Sequence, residues 1–367
     1  MKIEKMKDSV FNTINEYIKT LSNIEKKHFK EKIKQINSRY KSLIELKKTK
    51  NSTHEIDPMF FCFEDLPPTG KEYWFMKFVS TKPKDERQLL AMFGDSSETI
   101  RINKKKVKCR KHEGKRNGYM TAWSYDNKKD LMLNGESLIS MNPDKVIVSN
   151  KQGKINYKGK FPKYFLNISK NNKELVNLKL TKPKDKSDYF GFGNYFKSFV
   201  GYSLINLYFD FTGTLNKKKF SGKGYVQKVV VIGPFIPWNW GRIVFSNGSI
   251  LSYFEVKIQI SKFNHKLQST FEFYDSTKNK RYIFKDLTIK RFGKKNPRWI
   301  ITANKGKIFI SLKSYSSHKF TFKKVGFFTY SEYLSEVVDI FMEDCDVDVS
   351  KLGSGFGLIE DTSGYVL

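Results

Sequence analysis

Hydrophobic and polar residues alternate with two different periods along this chain. In residues 1–48, apolar side chains recur every three or four positions, with charged residues between them and no Gly or Pro. This spacing places the apolar side chains on one face of a helix, so it predicts an amphipathic helical arm over residues 1–48. A polar linker follows. From residue 58 onward the period is two, which is typical of β-strands with one buried face.

Residues 58–200 are predicted to form a first antiparallel barrel. Short alternating strands are separated by Gly, Pro, Asn and Asp, which favour turns. About eight strands at this spacing indicate a closed up-and-down barrel. The Gly- and Phe-rich stretch 188–202 is predicted to lead to the second unit.

Residues 203–367 repeat the pattern and are predicted to form a second barrel. A short helix is predicted over residues 330–341. The expected fold class is therefore mainly β, with two antiparallel barrels side by side and an N-terminal helical arm.

Composition narrows the class of protein. Of the residues, 15% are aromatic, including 32 Phe and 19 Tyr, which indicates a folded β-rich chain rather than a disordered one. The three cysteines lie far apart, and an odd count argues against a disulfide framework. The first residues are charged and no run of about 18 apolar residues occurs, so we expect neither a signal peptide nor a spanning helix. We expect a cytoplasmic protein.

The net charge of +31 is large and unevenly spread, because residues 331–367 are acidic. Such a charge attracts anionic membranes and nucleic acids, although lysines at strand ends and turns are often only solvated. The arm 1–48 is basic as well as amphipathic. It is expected either to lie on an anionic membrane surface, which would make the protein peripheral to the membrane, or to pack on a barrel.

The chain lacks the common catalytic and metal-binding signatures. It has no phosphate-binding loop and no Gly-x-Ser-x-Gly elbow, and its five histidines are far apart. Asp344, Asp346 and Asp348 alternate like the start of a calcium loop, but Val349 and Gly355 stand where that loop needs Gly and Glu. We therefore predict no metal and no cofactor.

The most informative stretch runs from Tyr225 to Arg242. Tyr225 and Lys228 lie on an alternating strand, and a Pro-flanked segment leads to Trp238 and Trp240 on the next strand. Two tryptophans two positions apart share one face of a strand, where they suit a dense core or the wall of an apolar pocket. We expect both rings to be substantially buried, with Tyr225 within reach.

The same residues carry a resemblance to a known group. Tyr225, Lys228, Trp238 and Trp240 fall at the spacing of the Tyr-x-Glu-Lys-Asn-Trp-Gly and Trp-x-Trp motifs of tocopherol cyclases. The chain resembles the carotenoid 1,2-hydratase, AttH-like and tocopherol cyclase superfamily over residues 60–367. It departs from the motif at Gln227, which replaces the carboxylate.

Further phrases extend the resemblance. Gly355, Gly357 and Glu360 match a C-terminal Gly-x-Gly-x-x-Glu phrase, and Glu72 precedes Tyr-Trp where the hydratases have Glu-Trp-Trp-Tyr. Val229 and Val230 replace the Asn and the first Trp of the cyclase motif. The resemblance implies two lipocalin-like, or calycin-like, antiparallel barrels side by side, and chemistry that begins by protonating an alkene.

Three glutamates beside aromatic residues are candidate catalytic acids: Glu72, Glu255 and Glu360. A carboxylic acid in an apolar pocket keeps its proton to higher pH and can protonate a double bond, and aromatic faces stabilise the resulting cation. The candidate ligand-binding residues are Trp74, Tyr225, Gln227, Lys228, Trp238, Trp240 and Arg242. Each has an ordinary structural alternative, since a buried Glu often pairs with Lys or Arg and aromatics fill cores.

Three functions remain open at this point. The first is a hydratase, cyclase or isomerase acting on a hydrophobic isoprenoid or lipid-like molecule. The second is a non-catalytic carrier or sensor of such a molecule. The third, nucleic-acid binding, depends on the charge alone. Gln227 weighs against the first, because glutamine cannot donate a proton as an acid does.

Overall fold

In the computed structural model, two antiparallel sheets account for most of the chain, and helices are few. The mainly β fold is therefore confirmed. The structure describes residues 16, 19, 20, 22–48, 56–109, 111–184, 190–197, 200–260, 263–324 and 326–366.

The helices are α1 (Asn23–Lys48) and α2 (Ile56–Phe60), with short 3-10 turns at Asn304–Gly306 and Val349–Lys351. The first sheet contains β1 (Lys71–Ser80), β2 (Gln88–Ser96), β5 (Lys111–His112), β6 (Lys115–Tyr125), β7 (Lys129–Asn142), β8 (Lys145–Asn150), β9 (Gly153–Lys160), β10 (Lys163–Lys170), β11 (Lys173–Thr181), β12 (Phe190–Lys197), β13 (Val200–Leu215) and β14 (Lys218–Ile232). The second contains β3 (Ile100–Ile102), β4 (Lys105–Val107), β15 (Trp238–Phe245), β16 (Ile250–Ile260), β17 (Phe263–Asp275), β18 (Lys280–Phe284), β19 (Thr288–Phe292), β20 (Arg298–Ala303), β21 (Ile308–Lys324), β22 (Gly326–Met342) and β23 (Gly355–Val366).

Ten strands of the first sheet close into a barrel. They run in the order β11-β10-β9-β8-β7-β6-β2-β1-β14-β13, and β13 pairs back to β11. Large side chains fill the interior: Trp74 stacks on Phe93 with 5.2 Å between ring centroids, and Tyr157 stacks on Tyr164 at 5.1 Å. Helix α2 covers one end, where the Trp74 indole donates to the Phe60 carbonyl oxygen at 3.1 Å. The barrel interior is a packed core.

The second sheet runs in the order β18-β17-β16-β15-β23-β22-β21-β20-β19. Its end strands β18 and β19 follow one another in the chain but form no ladder within the part of the chain that the structure describes. Its own core includes Tyr253, Trp299 and Ile310. Strand β3 adds to β21 and so ties the N-terminal half of the chain to this sheet.

The two sheets do not divide the chain at residue 200. Strands β13 and β14 complete the first barrel, although the sequence pattern placed them in the second half. A barrel needs neighbours on both sides of every strand, and β1 and β11 obtain theirs from β14 and β13. The division into domains at 58–200 and 203–367 stays a prediction.

The prediction of a helix over residues 330–341 is wrong, because this segment lies within strand β22. Phe328, Tyr330, Glu332 and Leu334 alternate with other residues and are all buried. Strand β22 pairs with β21 on one side and β23 on the other. Period-two burial between two ladders outweighs the helical spacing of the same residues.

Helix α1 packs on the first barrel. Phe29 and Ile36 are 1% and 5% exposed and contact Leu66, Val230 and Ile232. The apolar face of this part of the predicted arm is therefore covered by the protein itself. Residues 1–15 of the arm lie outside the described residues, and the membrane contact of residues 1–48 stays a prediction. No helix in the described residues is both long enough and apolar enough to cross a bilayer.

Candidate functional site: an apolar cavity between the two sheets

The cavity lies outside the barrel, where the two sheets face each other. Successive residues of β1 point to opposite sides, so Trp74 and Met76 enter the barrel core while Tyr73 and Phe75 face the second sheet. The edge of Phe75 meets the face of Trp240 at 6.0 Å between ring centroids, and Tyr73 meets Phe235 at 6.3 Å. The outward face of β1 thus forms part of an aromatic layer between the sheets.

The cavity has a volume of about 100 Å³. Most of its wall is apolar, contributed by the first sheet, the hairpin β3–β4 and the second sheet. Its apolar and aromatic lining includes Tyr73, Phe75, Ile100, Ile102, Val107, Tyr119, Phe235, Trp238, Phe320, Phe322, Phe328 and Tyr330. Gly94 also lines it, and a Cβ there would lie 2.4 Å from the Glu72 carbonyl oxygen, so a larger residue would displace β1. A mostly apolar cavity with a few polar groups is what a small hydrophobic ligand requires.

Glu360 on β23 is the carboxyl group in the apolar part of this wall. Its Oε2 accepts from the Trp238 indole N–H at 2.7 Å, and its Oε1 accepts from the Tyr330 hydroxyl at 2.8 Å. Burial raises the pKa of Glu360 to about 7, while the hydrogen bonds from Trp238 and Tyr330 and the charge of Lys77 act against it. The side chain therefore retains a proton over much of the neutral range and can donate it.

A second buried carboxyl group lies behind Glu360. Glu332 Oε2 accepts from the Trp123 indole N–H at 2.7 Å, and Glu332 Oε1 lies 3.1 Å from the same Tyr330 hydroxyl. Burial and, to a smaller extent, the charge of Glu360 raise the pKa of Glu332 to about 8, while the hydrogen bonds from Trp123 and Tyr330 and the charge of Lys129 act against them. Glu332 does not line the cavity; it lies opposite Glu360 on the neighbouring strand and shares the Tyr330 hydroxyl with it.

Glu72 reaches the cavity at its other end but has charged partners. Arg116 Nη1 lies 2.9 Å from Glu72 Oε1 and 3.0 Å from Asp95 Oδ2. The backbone N–H of Glu64 also donates to Glu72 at 3.1 Å. Burial raises the pKa of Glu72, and Lys228 and then Arg116 oppose it. With Arg116 in direct contact, Glu72 resembles a structural ion pair more than a free acid.

Lys228 and Trp74 belong to the barrel, not to the cavity. Lys228 Nζ donates to the carbonyl oxygens of Met59 and Cys62 at 3.0 and 2.6 Å, and it lies 5.1 Å from the Trp74 ring centroid. Burial lowers the pKa of Lys228, but the charges of Cys62, Glu72 and Glu64 outweigh burial and hold the pKa above its ordinary value. This lysine closes the barrel end beneath α2. Its predicted role in ligand binding stays a prediction.

Tyr225, Trp240 and Arg242 form a stack beside the cavity. The rings of Tyr225 and Trp240 lie 5.4 Å apart at 28°, and the Arg242 guanidinium lies 5.5 Å from the Tyr225 centroid. The expected reach of Tyr225 to the tryptophan strand is confirmed for Trp240. None of the three lines the cavity, so they support the wall from behind.

Gln227 and Trp238 do line the cavity. Gln227 Nε2 donates to Asn206 Oδ1 at 2.8 Å and to the Tyr225 hydroxyl oxygen at 2.7 Å. Trp238 and Trp240 lie on the same face of β15, as the alternation of a strand requires, and both are half-buried. Trp238 packs against Phe328 at 5.3 Å between centroids.

Glu255 lies apart from the other candidates. Its Oε2 is 3.0 Å from Lys266 Nζ, and it shares a strand face with Leu251 and Tyr253 of the second core. Glu255 does not line the cavity, and its predicted catalytic role stays a prediction.

The sequence reading missed Tyr330, Glu332 and Trp123. The first two lie in the segment predicted as a helix, where strand alternation would have placed them on one face. No local signal connects Trp123 with Glu332, because the two residues are far apart in the chain and meet only between the sheets. Within the described residues, no group of three or more His, Cys, Asp or Glu side chains could hold a metal ion.

Comparisons with known proteins give structural neighbours only. No family model matches the chain, and no curated protein matches it. Among solved structures, it is similar to a putative AttH from Nitrosomonas europaea, with 9% identity and a TM-score of 0.44 over 83% of this chain and 94% of that one. It is also similar to CghA in a structure with Sch210972, with 9% identity and a TM-score of 0.45 over 82% and 88% of the two chains.

A third neighbour is kievitone hydratase from Nectria haematococca, with 11% identity and a TM-score of 0.36 over 79% of this chain and 88% of that one. The three neighbours share one fold family, and the first is of the AttH-like type that the sequence resembles. At these identities and TM-scores, nothing that the neighbours bind or do is transferred to this chain.

Proposed function

We propose that this protein binds a hydrophobic, isoprenoid- or lipid-like small molecule in the cavity between the sheets and that Glu360 donates a proton to it. The observation that carries the proposal is a carboxyl group with a pKa of about 7 in an apolar wall, which accepts hydrogen bonds from the neutral donors Trp238 and Tyr330. Glu72, the other glutamate at the cavity, contacts Arg116 directly.

The chemistry that such an acid performs is protonation of an alkene. The O–H bond of Glu360 breaks, a C–H bond forms from the π electrons, and a tertiary carbocation results. The faces of Trp238, Phe328 and Tyr73 line the same space and stabilise that cation through their quadrupoles. Water or a hydroxyl of the ligand then attacks the cation and returns a proton to the Glu360 carboxylate. This sequence is hydration or cyclisation; loss of a different proton gives isomerisation.

A non-catalytic carrier would use the same cavity without turnover. The nucleic-acid alternative depends on the net charge of +31 and not on any feature of the cavity.

Binding is tested with geraniol, a short isoprenoid alcohol, by titration of tryptophan fluorescence, because Trp238 lines the cavity. Val107 lies in the cavity wall and is 1% exposed, so the larger side chain in Val107→Phe should fill part of the cavity. Val338→Phe is the matched control, since Val338 is 53% exposed and lies outside the cavity. We expect saturable binding by the unmodified protein and the control, and weaker binding by Val107→Phe at unchanged melting temperature. Equal binding by both variants would remove the cavity from the proposal.

Catalysis is tested by incubating the protein with geraniol in deuterium oxide and analysing the recovered terpenoids by mass spectrometry. We expect deuterium at former alkene carbons with the unmodified protein and none with Glu360→Gln. Binding without deuterium incorporation would indicate a carrier.

A further inference from the structure

The hydroxyl of Tyr330 lies between two carboxyl groups. Its oxygen is 2.8 Å from Glu360 Oε1 and 3.1 Å from Glu332 Oε1, both within hydrogen-bond distance. A phenol has one proton, so it donates to only one of the two carboxyl groups at a time. Burial raises the pKa of Tyr330 well above its ordinary value, so the phenol keeps that proton.

The second contact requires another proton. An ionised carboxylate only accepts hydrogen bonds, so two carboxylates on one phenol would leave one oxygen pair without a hydrogen. At 1%, 5% and 8% exposure, Glu332, Tyr330 and Glu360 have little water available to bridge such a contact. The arrangement is satisfied when one carboxyl group is protonated and donates to Tyr330 while Tyr330 donates to the other.

We propose that Glu332 is a proton-storing positioning residue that restores the proton of Glu360 through the hydroxyl of Tyr330. The inference rests on the proposed role of Glu360 as the acid. Glu360 lines the cavity, whereas Glu332 does not; Glu332 is the ladder partner of Glu360 and shares the Tyr330 hydroxyl with it.

The transfer balances without any other reactant. After Glu360 has given its proton away, the Tyr330 O–H proton moves to Glu360 and the Glu332 carboxyl proton moves to Tyr330. The phenol is regenerated, Glu360 is again an acid, and Glu332 is left as a carboxylate. The proton that the attacking water or hydroxyl releases at Glu360 then passes back through Tyr330 and restores Glu332. The Trp123 indole N–H, at 2.7 Å from Glu332 Oε2, stabilises that carboxylate.

The surroundings of the two carboxyl groups differ. Lys129 is an exposed residue whose Nζ lies 5.1 Å from the Trp123 ring centroid, and its charge favours the Glu332 carboxylate. His318, the ladder partner of Glu332, has its pKa lowered to about 4 by burial and by Lys129, so it is neutral near pH 7.

On the other side, Lys77 and Tyr73 face Glu360. Burial lowers the pKa of Lys77 well below its ordinary value, and Tyr73 stays protonated because burial raises its pKa. Glu332 is therefore the member of the pair nearer to an exposed cation, and Glu360 the member nearer to the ligand. This difference between the two surroundings favours proton transfer from Glu332 to Glu360, towards the cavity.

The coupling is tested on the full chain without ligand, by infrared difference spectroscopy of the protonated-carboxyl band between pH 5 and 9. Exposed carboxyl groups lose their protons at lower pH and do not contribute, and the signal of buried Glu72, whose pKa is also raised, is identified by repeating the measurement on Glu72→Gln. We expect the unmodified protein to lose the band in two coupled steps. In Glu360→Gln the remaining carboxyl group of the pair, Glu332, should lose its proton at lower pH, because the like charge of Glu360 is gone. In Tyr330→Phe, Glu360 should titrate higher, because it loses a donor.

The transfer itself is tested by a pH jump, following the return of the carboxyl band. We expect recovery roughly a hundredfold slower in Glu332→Gln and Tyr330→Phe. Glu272→Gln is the matched control, since Glu272 pairs with Arg281 elsewhere on the same sheet. Unshifted titration of Glu332 in Glu360→Gln, or unchanged recovery in both Glu332→Gln and Tyr330→Phe, would overturn the relay. Neither measurement uses a ligand, so loss of the relay leaves the geraniol result standing, and failure of geraniol to bind leaves the relay result standing.

Discussion

At the scale of single residues, the partners of a buried glutamate decide what it can do. Glu72 and Glu360 both line the cavity and both have raised pKa values because of burial. Arg116 contacts Glu72 at 2.9 Å, whereas the hydrogen bonds to Glu360 among the described residues come from an indole N–H and a phenol. A guanidinium in direct contact stabilises the ionised form more than neutral donors do, so Glu360 is the better candidate for the acid of the proposed reaction.

The raised pKa of Glu360 predicts a pH-dependent loss of stability. Its pKa is about 7 in the folded protein and near 4.5 in the unfolded chain. The folded state therefore holds more protons between these values, and stability falls as pH rises through them. Glu360→Gln should gain stability relative to the unmodified protein between pH 5 and pH 8, by on the order of 3 kcal/mol.

Urea unfolding at the two pH values measures this gain, with Glu272→Gln as the control that should show no such trend. A stability difference that stays the same at both pH values would show that Glu360 ionises at its ordinary pKa in the fold.

The sequence named Glu360 as a candidate acid but could not separate it from Glu72 or Glu255. The three glutamates differ in their contacts: Glu72 contacts Arg116, Glu255 contacts Lys266, and Glu360 accepts from neutral donors. These contacts form only when the strands pair in the folded protein. The same applies to Trp123 and Glu332, which meet across the two sheets.

At the scale of elements, helix α1 is held by a small apolar patch and one buried ion pair. Phe29 and Ile36 pack against the barrel, and Lys32 Nζ lies 2.7 Å from Glu64 Oε2 with both side chains nearly inaccessible. Removing Phe29 deletes much of the apolar contact. An ion pair with high desolvation cost does not hold the helix alone.

We predict that Phe29→Ala releases α1 without unfolding the barrel. Amide hydrogen exchange of residues 23–48 should accelerate strongly, while that of β6 and β7 stays slow. Ile24→Ala is the matched control, because Ile24 is 82% exposed. If exchange of α1 and the barrel strands rises together, the helix is part of the barrel's cooperative unit instead.

Elements with strict alternation were predictable, and β22 shows where prediction stops. Tyr330, Leu334 and Val338 also fit a spacing of four, so the segment satisfied both periods. The segment forms a strand because it pairs with β21 on one side and with β23 on the other. The helical spacing of its residues gives no information about either pairing. The membership of β13 and β14 in the first barrel likewise depends on ring closure, which no local pattern encodes.

At the scale of the whole molecule, the two sheets are joined by buried polar contacts as well as by aromatic rings. Gln88 on β2, which is 0% exposed, donates to the Tyr315 hydroxyl oxygen at 2.7 Å and to the Gly357 carbonyl oxygen at 3.0 Å. Strand β3 adds a backbone connection to β21. Such contacts couple the stability of one sheet to that of the other.

We therefore predict a single cooperative unfolding transition, with the calorimetric and van't Hoff enthalpies equal. Gln88→Ala should lower stability by about 1–3 kcal/mol, because it leaves buried partners without a donor. Gln268→Ala, at an exposed position of β17, should change it little. Two resolved calorimetric transitions, with Gln88→Ala moving only one, would mean that the sheets unfold independently.

The alternation of β1 separates two kinds of selective constraint along one strand. Trp74 and Met76 fill the closed barrel, so replacing them lowers the stability of the fold. Tyr73 and Phe75 face the space between the sheets. Positions of one parity can diversify in size and polarity while those of the other parity stay fixed. Ligand preference in such a molecule can therefore drift or be engineered without first rebuilding its core.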